Sequence, residues 1–288
     1  MPDSSGQRTV VITGCSSGFG RVTALELARH GWQVFATVRR EADAEDLLAE
    51  AAKLGGKELI TPLICDITVP EQVAHLGEAV AAATSSLDAL LNNAGTAYAG
   101  PLELLSPADL REQLEINVVA QLAVTQALLP LLKAARGTII NVSSVNGKIA
   151  TPVVGAYSAS KFALEGLSDA LRVELAPFGV RVVLIEPSSS GTNIWETSLQ
   201  RALDKMEQHR NGPYRRLLEV TEKVARRAST GKGGFPPQLF AGTVRQILAS
   251  PHPRARYVVP RSARRDILLR RLLPDSVWDR LVRRTLKW

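Results

Sequence analysis

Short β-branched runs alternate with stretches of helical apolar spacing along most of this chain. RTVVIT (Arg8–Thr13) leads through a glycine-rich turn, TGCSSGFG, into a helix that starts at Phe19, carries Val22, Leu25, Leu27 and Ala28, and stops at Gly31. The alternation continues with a strand at Val34–Val38, a helix at Ala42–Lys53, a strand at Leu59–Cys65 and a helix at Pro70–Ala83 with proline in its first turn. A strand at Leu87–Leu91, one long helix over about Pro107–Ala134, a strand at Thr138–Val142, a helix from Gly155 to about Ala176 and a strand at Val180–Ile185 follow. Pro237–Ser250 reads as a further helix and Arg256–Val259 as a last short strand. Strands and helices in this order predict an α/β fold, a doubly wound, mostly parallel sheet with helices on both faces and right-handed crossovers.

No internal repeat or Gly/Ser linker divides the chain, so residues 1–260 are expected to form a single domain. Within it, the polar stretch 193–235 reads as a flap with helical fragments at Leu199–Arg210 and Tyr214–Arg227. Its apolar residues (Ile194, Trp195, Leu199, Leu203, Met206, Tyr214), with Val153 and Val154, are candidate walls for an apolar carbonyl substrate. The opening MPDSSGQRT lacks a secretory apolar core, charges interrupt the apolar runs before a membrane span is reached, and Cys15 and Cys65 give no disulfide framework. These features lead us to expect a cytoplasmic protein. No metal and no nucleic-acid partner are expected.

The glycines at 14, 18 and 20 lie between the first strand and the first helix, where glycine permits a tight turn and close approach of a pyrophosphate to a helix N-terminus. Gly14, Ser16 and Gly18 also spell the G-x-S-x-G elbow of hydrolases. That reading wants an acid and then a histidine downstream, but His30 falls in the first helix, and His209 and His252 fall in charged or proline-rich stretches. We set it aside.

Asn141–Lys161 (NVSSVNGKIATPVVGAYSASK) holds a second constellation. Tyr157 and Lys161 are four apart, one helical turn, and an adjacent ammonium should draw the phenol pKa down from ~10 towards the range of a general acid/base. Ser144 follows a strand whose C-terminal end faces the ligand crevice of such sheets. Alone, YxxxK reads sooner as a surface pair on an amphipathic helix, because the pattern is common.

Taken together, TGxxxGxG at 13–20, Asp66 in CDIT, NNAG at 92–95, Asn117, Ser144 and YxxxK at 157–161 resemble the short-chain dehydrogenase/reductase family over roughly residues 8 to 260. The run YSASKFALEGLSDALRVELAPFGVRV is most similar to its hydroxysteroid and retinol dehydrogenase branch. The resemblance implies a Rossmann-like fold and hydride transfer between nicotinamide and a hydroxyl or ketone, and it implies a homo-oligomer, a dimer or tetramer. It makes Tyr157 the proton donor or acceptor, Ser144 the holder of the substrate oxygen, Lys161 the residue that tunes Tyr157 and binds the ribose, and Asn117 a helix-perturbing member of a proton relay. The implied cofactor set is Gly14, Ser16, Ser17, Gly18, Phe19 and Gly20; Val38, Arg39 and Arg40; Asp66 and Ile67; Asn93, Ala94 and Gly95; Tyr157 and Lys161; and Pro187, Ser188, Ser190 and Thr192.

An NAD-preferring site ends the second strand with a carboxylate. Here Val38 stands there, followed by Arg39 and Arg40, which would accept a 2′-phosphate, so NADP is expected over NAD. One departure stands out: Ser188 replaces the family's usual glycine after Pro187, and Ser190 a usual apolar residue. If the position needs φ > 0, Ser188 costs ~1 kcal/mol or more, which motivates a second reading as a catalytically weak or idle nucleotide-binding sensor or scaffold.

Residues 251–288 hold eleven Arg/Lys and three Asp, a balance of +8 against −1 for the rest. Two short helices broken at Pro274 would each pair an apolar stripe with a cationic face. Such a tail can lie on an anionic membrane or pack on the protein; packing is favoured because Pro274 and Asp275 interrupt the face and Asp279 dilutes its charge.

Overall fold

The computed structural model describes residues 6–190, 211–229, 234–286 and 288. Strands β1 (Thr9–Ile12), β2 (Gln33–Val38), β3 (Ile60–Ile64), β4 (Ala89–Asn92), β5 (Thr138–Val142), β6 (Arg181–Pro187) and β7 (Arg256–Val259) form one sheet in the order β3-β2-β1-β4-β5-β6-β7. Every adjacent pair is parallel, with Ile12 beside both Ala36 and Leu91, and Asn92 beside Asn141. The chain runs outward from β1 to β3 and then returns to β4, so the sheet order reverses between β1 and β4. Ligands bind at such a switch point, outside the strands' carboxyl ends.

Period-two alternation sorts the core. Val10 and Ile12 of β1 point to one face, packed with Leu27 of α1 (Gly18–Arg29), Leu47 of α2 (Glu41–Leu54) and Phe240 and Val244 of α8 (Pro237–Ala249). Val11 points to the other, with Leu76 and Val80 of α3 (Pro70–Ala83) and Val124, Leu128 and Leu132 of α5 (Ala120–Ala135). Helix α6 (Gly155–Glu174) also flanks the sheet, packing on β6. Helix α7 (Arg215–Ser229) lies in the expected flap, while residues 191–210 and 230–233 fall outside the described residues, and with them Thr192, Ile194, Trp195, Leu199, Leu203 and Met206.

The single long helix expected at 107–134 is instead α4 (Pro107–Leu114), a π-helical turn (Glu115–Val119) and α5. Asn117 lies within that turn. Across the break, Pro107–Ala135 is long and apolar enough to cross a membrane, contrary to the expectation from charge interruption. Its inward face, including Val124, Leu128 and Leu132 at zero exposure, is core of the sheet. The tail forms α9 (Arg264–Leu272) and α10 (Asp275–Leu286), broken at Pro274 as expected.

Candidate active site

A cleft of about 730 Å³ opens along the carboxyl ends of the strands, at the switch point. Most of the residues singled out in the sequence meet there: Gly14, Ser16, Ser17, Gly18 and Phe19; Val38 and Arg39; Asp66 and Ile67; Asn93, Ala94 and Gly95; Ser144, Tyr157 and Lys161; and Pro187, Ser188 and Ser190.

The glycine turn is built by its neighbours. Gly14 and Gly18 have φ of 72° and 59°, a region side chains avoid. Gly20 does not line the cleft. A Cβ there would stand 2.3 Å from the Gly14 carbonyl oxygen and 2.6 Å from Asn93 Nδ2, so its role is to let α1 approach the turn. Asn93 latches that turn to β4, donating through Nδ2 to the carbonyls of Thr13 (2.8 Å) and Gly14 (3.1 Å). Ser17 caps α1 with no side-chain hydrogen bond, which leaves the helix N-terminal amides open for a phosphate. Among its residues, the cleft therefore has a cradle that fits a dinucleotide.

Arg39 lines the cleft and makes no hydrogen bond or ion pair among the described residues. Arg40 behaves differently from expectation: it turns away to pair with Asp43 at 2.6 Å, held as the residue that opens α2, and is not part of the cleft. Asp66 is not a helix cap, since Val69 caps α3. Its carboxylate accepts from the Thr68 N–H (3.0 Å) and hydroxyl (2.7 Å). Burial pushes the Asp66 pKa up, but these bonds and nearby Arg39 outweigh it and hold the group ionised below its ordinary range.

Ser144 lies just past β5; its hydroxyl accepts from the Asn146 N–H (3.1 Å), donates to the Pro187 carbonyl (3.3 Å) and is hydrogen-bonded to Tyr157. Lys161 Nζ donates to the Val142 carbonyl at 2.8 Å and sits 5.7 Å from the Tyr157 ring centre. The expected fall of the Tyr157 pKa is reversed. Burial pushes it up to about 12, against a smaller lowering by Ser144. Burial likewise pulls Lys161 down to about 8, partly opposed by Glu165. One helical turn of spacing brings the ammonium near the phenol, yet the phenol's own desolvation dominates its pKa.

Asn117 is fully buried behind this wall. Its Oδ1 accepts from Thr96 N–H (2.9 Å), and its Nδ2 donates to Thr96 carbonyl (3.0 Å) and Ser160 Oγ (3.0 Å). Aiming an amide at both partners interrupts the helix, and the π-turn accommodates it. Its neighbours extend the pattern in a way we did not read from the sequence. Gln113 bonds Thr96 and Tyr98, Gln121 bonds the Ala94 carbonyl, and Thr125 accepts from Asn92. Residues four apart on the helix thus hold alternate residues of the segment leaving β4. The signal was present as the uncharged polar residues Gln113, Asn117, Gln121 and Thr125 recurring four apart. Thr68, Arg111, Glu115 and Ile116 also line the cleft without having been singled out.

Ser188 shows no strain: among the described residues only Arg136 and Val153 are non-glycines with positive φ, and the Ser188 N–H donates to the Val259 carbonyl at 2.8 Å. Ser190 is buried, its hydroxyl donating to the Phe235 carbonyl at 2.8 Å. Val153 and Val154, expected as substrate walls, do not line the cleft. Val153 is buried at φ 71° with its carbonyl accepting from Gly100, and Val154 caps α6. Cys15, beside the turn, is buried with its thiol pKa pushed well up by desolvation, so it is a packing residue.

The model for the family described as short chain dehydrogenase matches residues 8–202. Mouse retinol dehydrogenase 5 is 37% identical over 86% of this chain and 79% of its own length. An NADPH-dependent 3-dehydrocapnine reductase of Ornithobacterium rhinotracheale is 32% identical over 97% of this chain and 98% of its own. A short-chain dehydrogenase of Streptomyces avermitilis superposes with a TM-score of 0.75 at 28% identity, covering 96% of each chain. With a family model spanning most of the sequence, and a cleft that gathers the nucleotide cradle and the Ser–Tyr–Lys cluster at one switch point, this chain belongs to the short-chain dehydrogenase family of oxidoreductases acting on alcohols and ketones.

Proposed function

We propose that this chain is an NADP(H)-dependent oxidoreductase working between an apolar ketone and its alcohol. When bound, the nicotinamide supplies or takes up the hydride at the carbon. The chain's own residues manage the oxygen: Ser144 holds it by a hydrogen bond, and Tyr157 gives it a proton in the reducing direction. Lys161, ionised below about 8, places positive charge beside the phenol and can reach ribose hydroxyls, while Asn117 fixes the neighbouring loop and the α6 helix. With its pKa pushed up to about 12 by burial, the phenol is protonated at neutral pH, the form the reducing direction needs.

The observation that carries the cofactor preference is Arg39, lining the cleft with no partner among the described residues and beside Val38 where an NAD site keeps an acid. The NADPH dependence printed for the 3-dehydrocapnine reductase agrees. An apolar substrate, steroid- or retinoid-sized, is supported by mouse retinol dehydrogenase 5 and by the apolar residues of the flap stretch. The motive for a catalytically idle reading falls away with Ser188, whose backbone lies outside the strained region. An NADPH-oxidation assay over a panel of apolar ketones tests the proposal. Tyr157→Phe should abolish turnover and leave NADPH affinity nearly unchanged; retention of more than about a tenth of activity would sink Tyr157 as the acid.

A further inference from the structure

The tail's amphipathic helices turn one apolar face to the protein and leave another exposed. Ile267, Trp278 and Val282 face inward and, with Ala150, Pro152 and Phe162, line a cleft between tail and body. Arg270 fixes the elbow, donating to Asp275 at 2.6 Å and lying 5.7 Å from the Trp278 ring. The opposite faces point to solvent. On α9, Leu268, Leu269 and Leu272 are 55%, 43% and 70% exposed and fall within one turn of each other. On α10, Val277 and Leu281 are 41% and 42% exposed, also one turn apart. Exposed arginines flank both stripes: Arg265 on α9, and Arg280 and Arg284 on α10. Packing on the domain, favoured from the sequence, therefore explains the inner faces and leaves the outer ones bare.

We propose that this outer face docks on an anionic lipid bilayer. Isolated exposed leucines are ordinary, but a leucine and valine stripe bordered by arginines matches a surface that is apolar below and negatively charged above. A second copy of the chain would bring these arginines against their own images. Nucleic acid would neutralise the arginines but leave the leucines in water. The tail also touches the reaction end of the molecule. Trp288 stacks on Tyr214 at 5.7 Å, and the Tyr214 hydroxyl donates to Glu103 at 2.5 Å. The adjoining Leu102 packs against Gly155, where the Tyr157 helix begins.

The test needs no turnover and so stands apart from the proposed reaction. The full chain is sedimented with phosphatidylcholine vesicles, with and without phosphatidylglycerol, at low and high salt. It should bind only the anionic vesicles, and salt should release it. Arg280→Ala with Arg284→Ala should weaken binding roughly 25-fold, about fivefold per basic residue. Leu272→Glu with Leu281→Glu should abolish binding while thermal unfolding and NADPH binding stay as in the wild type. Failure of the wild type to bind anionic vesicles, or full binding by both variants, overturns the proposal. So does a particle that shrinks on sizing in the Leu272→Glu, Leu281→Glu variant, because a second copy would then be what covers the stripe.

Discussion

Along the Tyr157 helix lies a charge cluster with two buried carboxyls, Glu165 and Glu186, and its geometry predicts the behaviour of one of them. Glu165 accepts from Lys148 (2.6 Å) and Arg256 (3.0 Å), Arg256 also reaches Asp169 (2.7 Å), and Glu186 lies 3.4 Å from Arg256. Arg172 also pairs with Asp169 at 2.6 Å, so Glu165 and Asp169 hold the close ion pairs and Glu186, farthest from a cation, is the carboxyl that should stay neutral. Burial raises the Glu186 pKa most, with Glu165 adding to it, from 4.5 to about 7. A proton there also gives a donor to a pair whose Oε1 atoms, on Glu165 and Glu186, are both buried without one among the described residues. Because the folded pKa lies above the unfolded one, the folded state holds more protons between these values, and stability falls as pH rises through them. The shift corresponds to about 3 kcal/mol, at ~1.4 kcal/mol per unit, lost by pH 8.5. Glu186→Gln removes the titration while keeping a donor. Urea and thermal denaturation of both proteins at pH 5 and 8.5 should show near-equal stability at the lower pH. At the higher pH the variant should be more stable by about 3 kcal/mol, roughly 5–10 °C in Tm. A variant less stable than the wild type at pH 8.5 would refute the reasoning, because Glu186 would then be ionised and held by Arg256.

Two further outcomes follow from the cleft. Ketone reduction at saturating NADPH should be level on the acid side of neutrality and fall as pH rises through about 8, where Lys161 loses its charge, while Tyr157, with its pKa up near 12, remains protonated. A profile level to about pH 10 would remove Lys161's charge from the reaction. Val38→Asp should shift preference from NADPH towards NADH by setting a carboxylate beside Arg39 where the 2′-phosphate is expected. An unchanged ratio of kcat/KM values would mean that Arg39 does not read the phosphate.

The fold was legible because its signal is periodic: TVVI must send Val10 and Val11 to opposite faces, and strands separated by helices must pair in parallel. The glycine turn, the NNAG loop and the Ser–Tyr–Lys cluster were legible because each needs particular residue types at fixed offsets. What the sequence withheld depends on surroundings and not on spacing. Four residues between Tyr157 and Lys161 give proximity, but only the fold shows that both are buried, and burial reverses the expected shift of the phenol. Two adjacent arginines look equivalent, yet Asp43 takes Arg40 and leaves Arg39 to the cleft.

The polar ladder on α4 and α5 shows how such a pattern becomes readable once its partner is known. Four residues of helix advance about 6 Å, and two residues of extended chain about 6.6 Å. A helix lying antiparallel to the segment after β4 can therefore present a polar side chain to every second residue of it, as Gln113, Asn117, Gln121 and Thr125 do from Tyr98 back to Asn92. The match is imperfect by a fraction of an ångström per rung, and the π-turn at Glu115–Val119 falls inside the ladder. Asn117 stands within that turn and also bonds Ser160, which in turn donates to the Tyr157 carbonyl at 2.7 Å. One side chain thus ties the loop behind the nucleotide cradle to the helix that carries Tyr157, and the helix distortion is the structural condition for that tie.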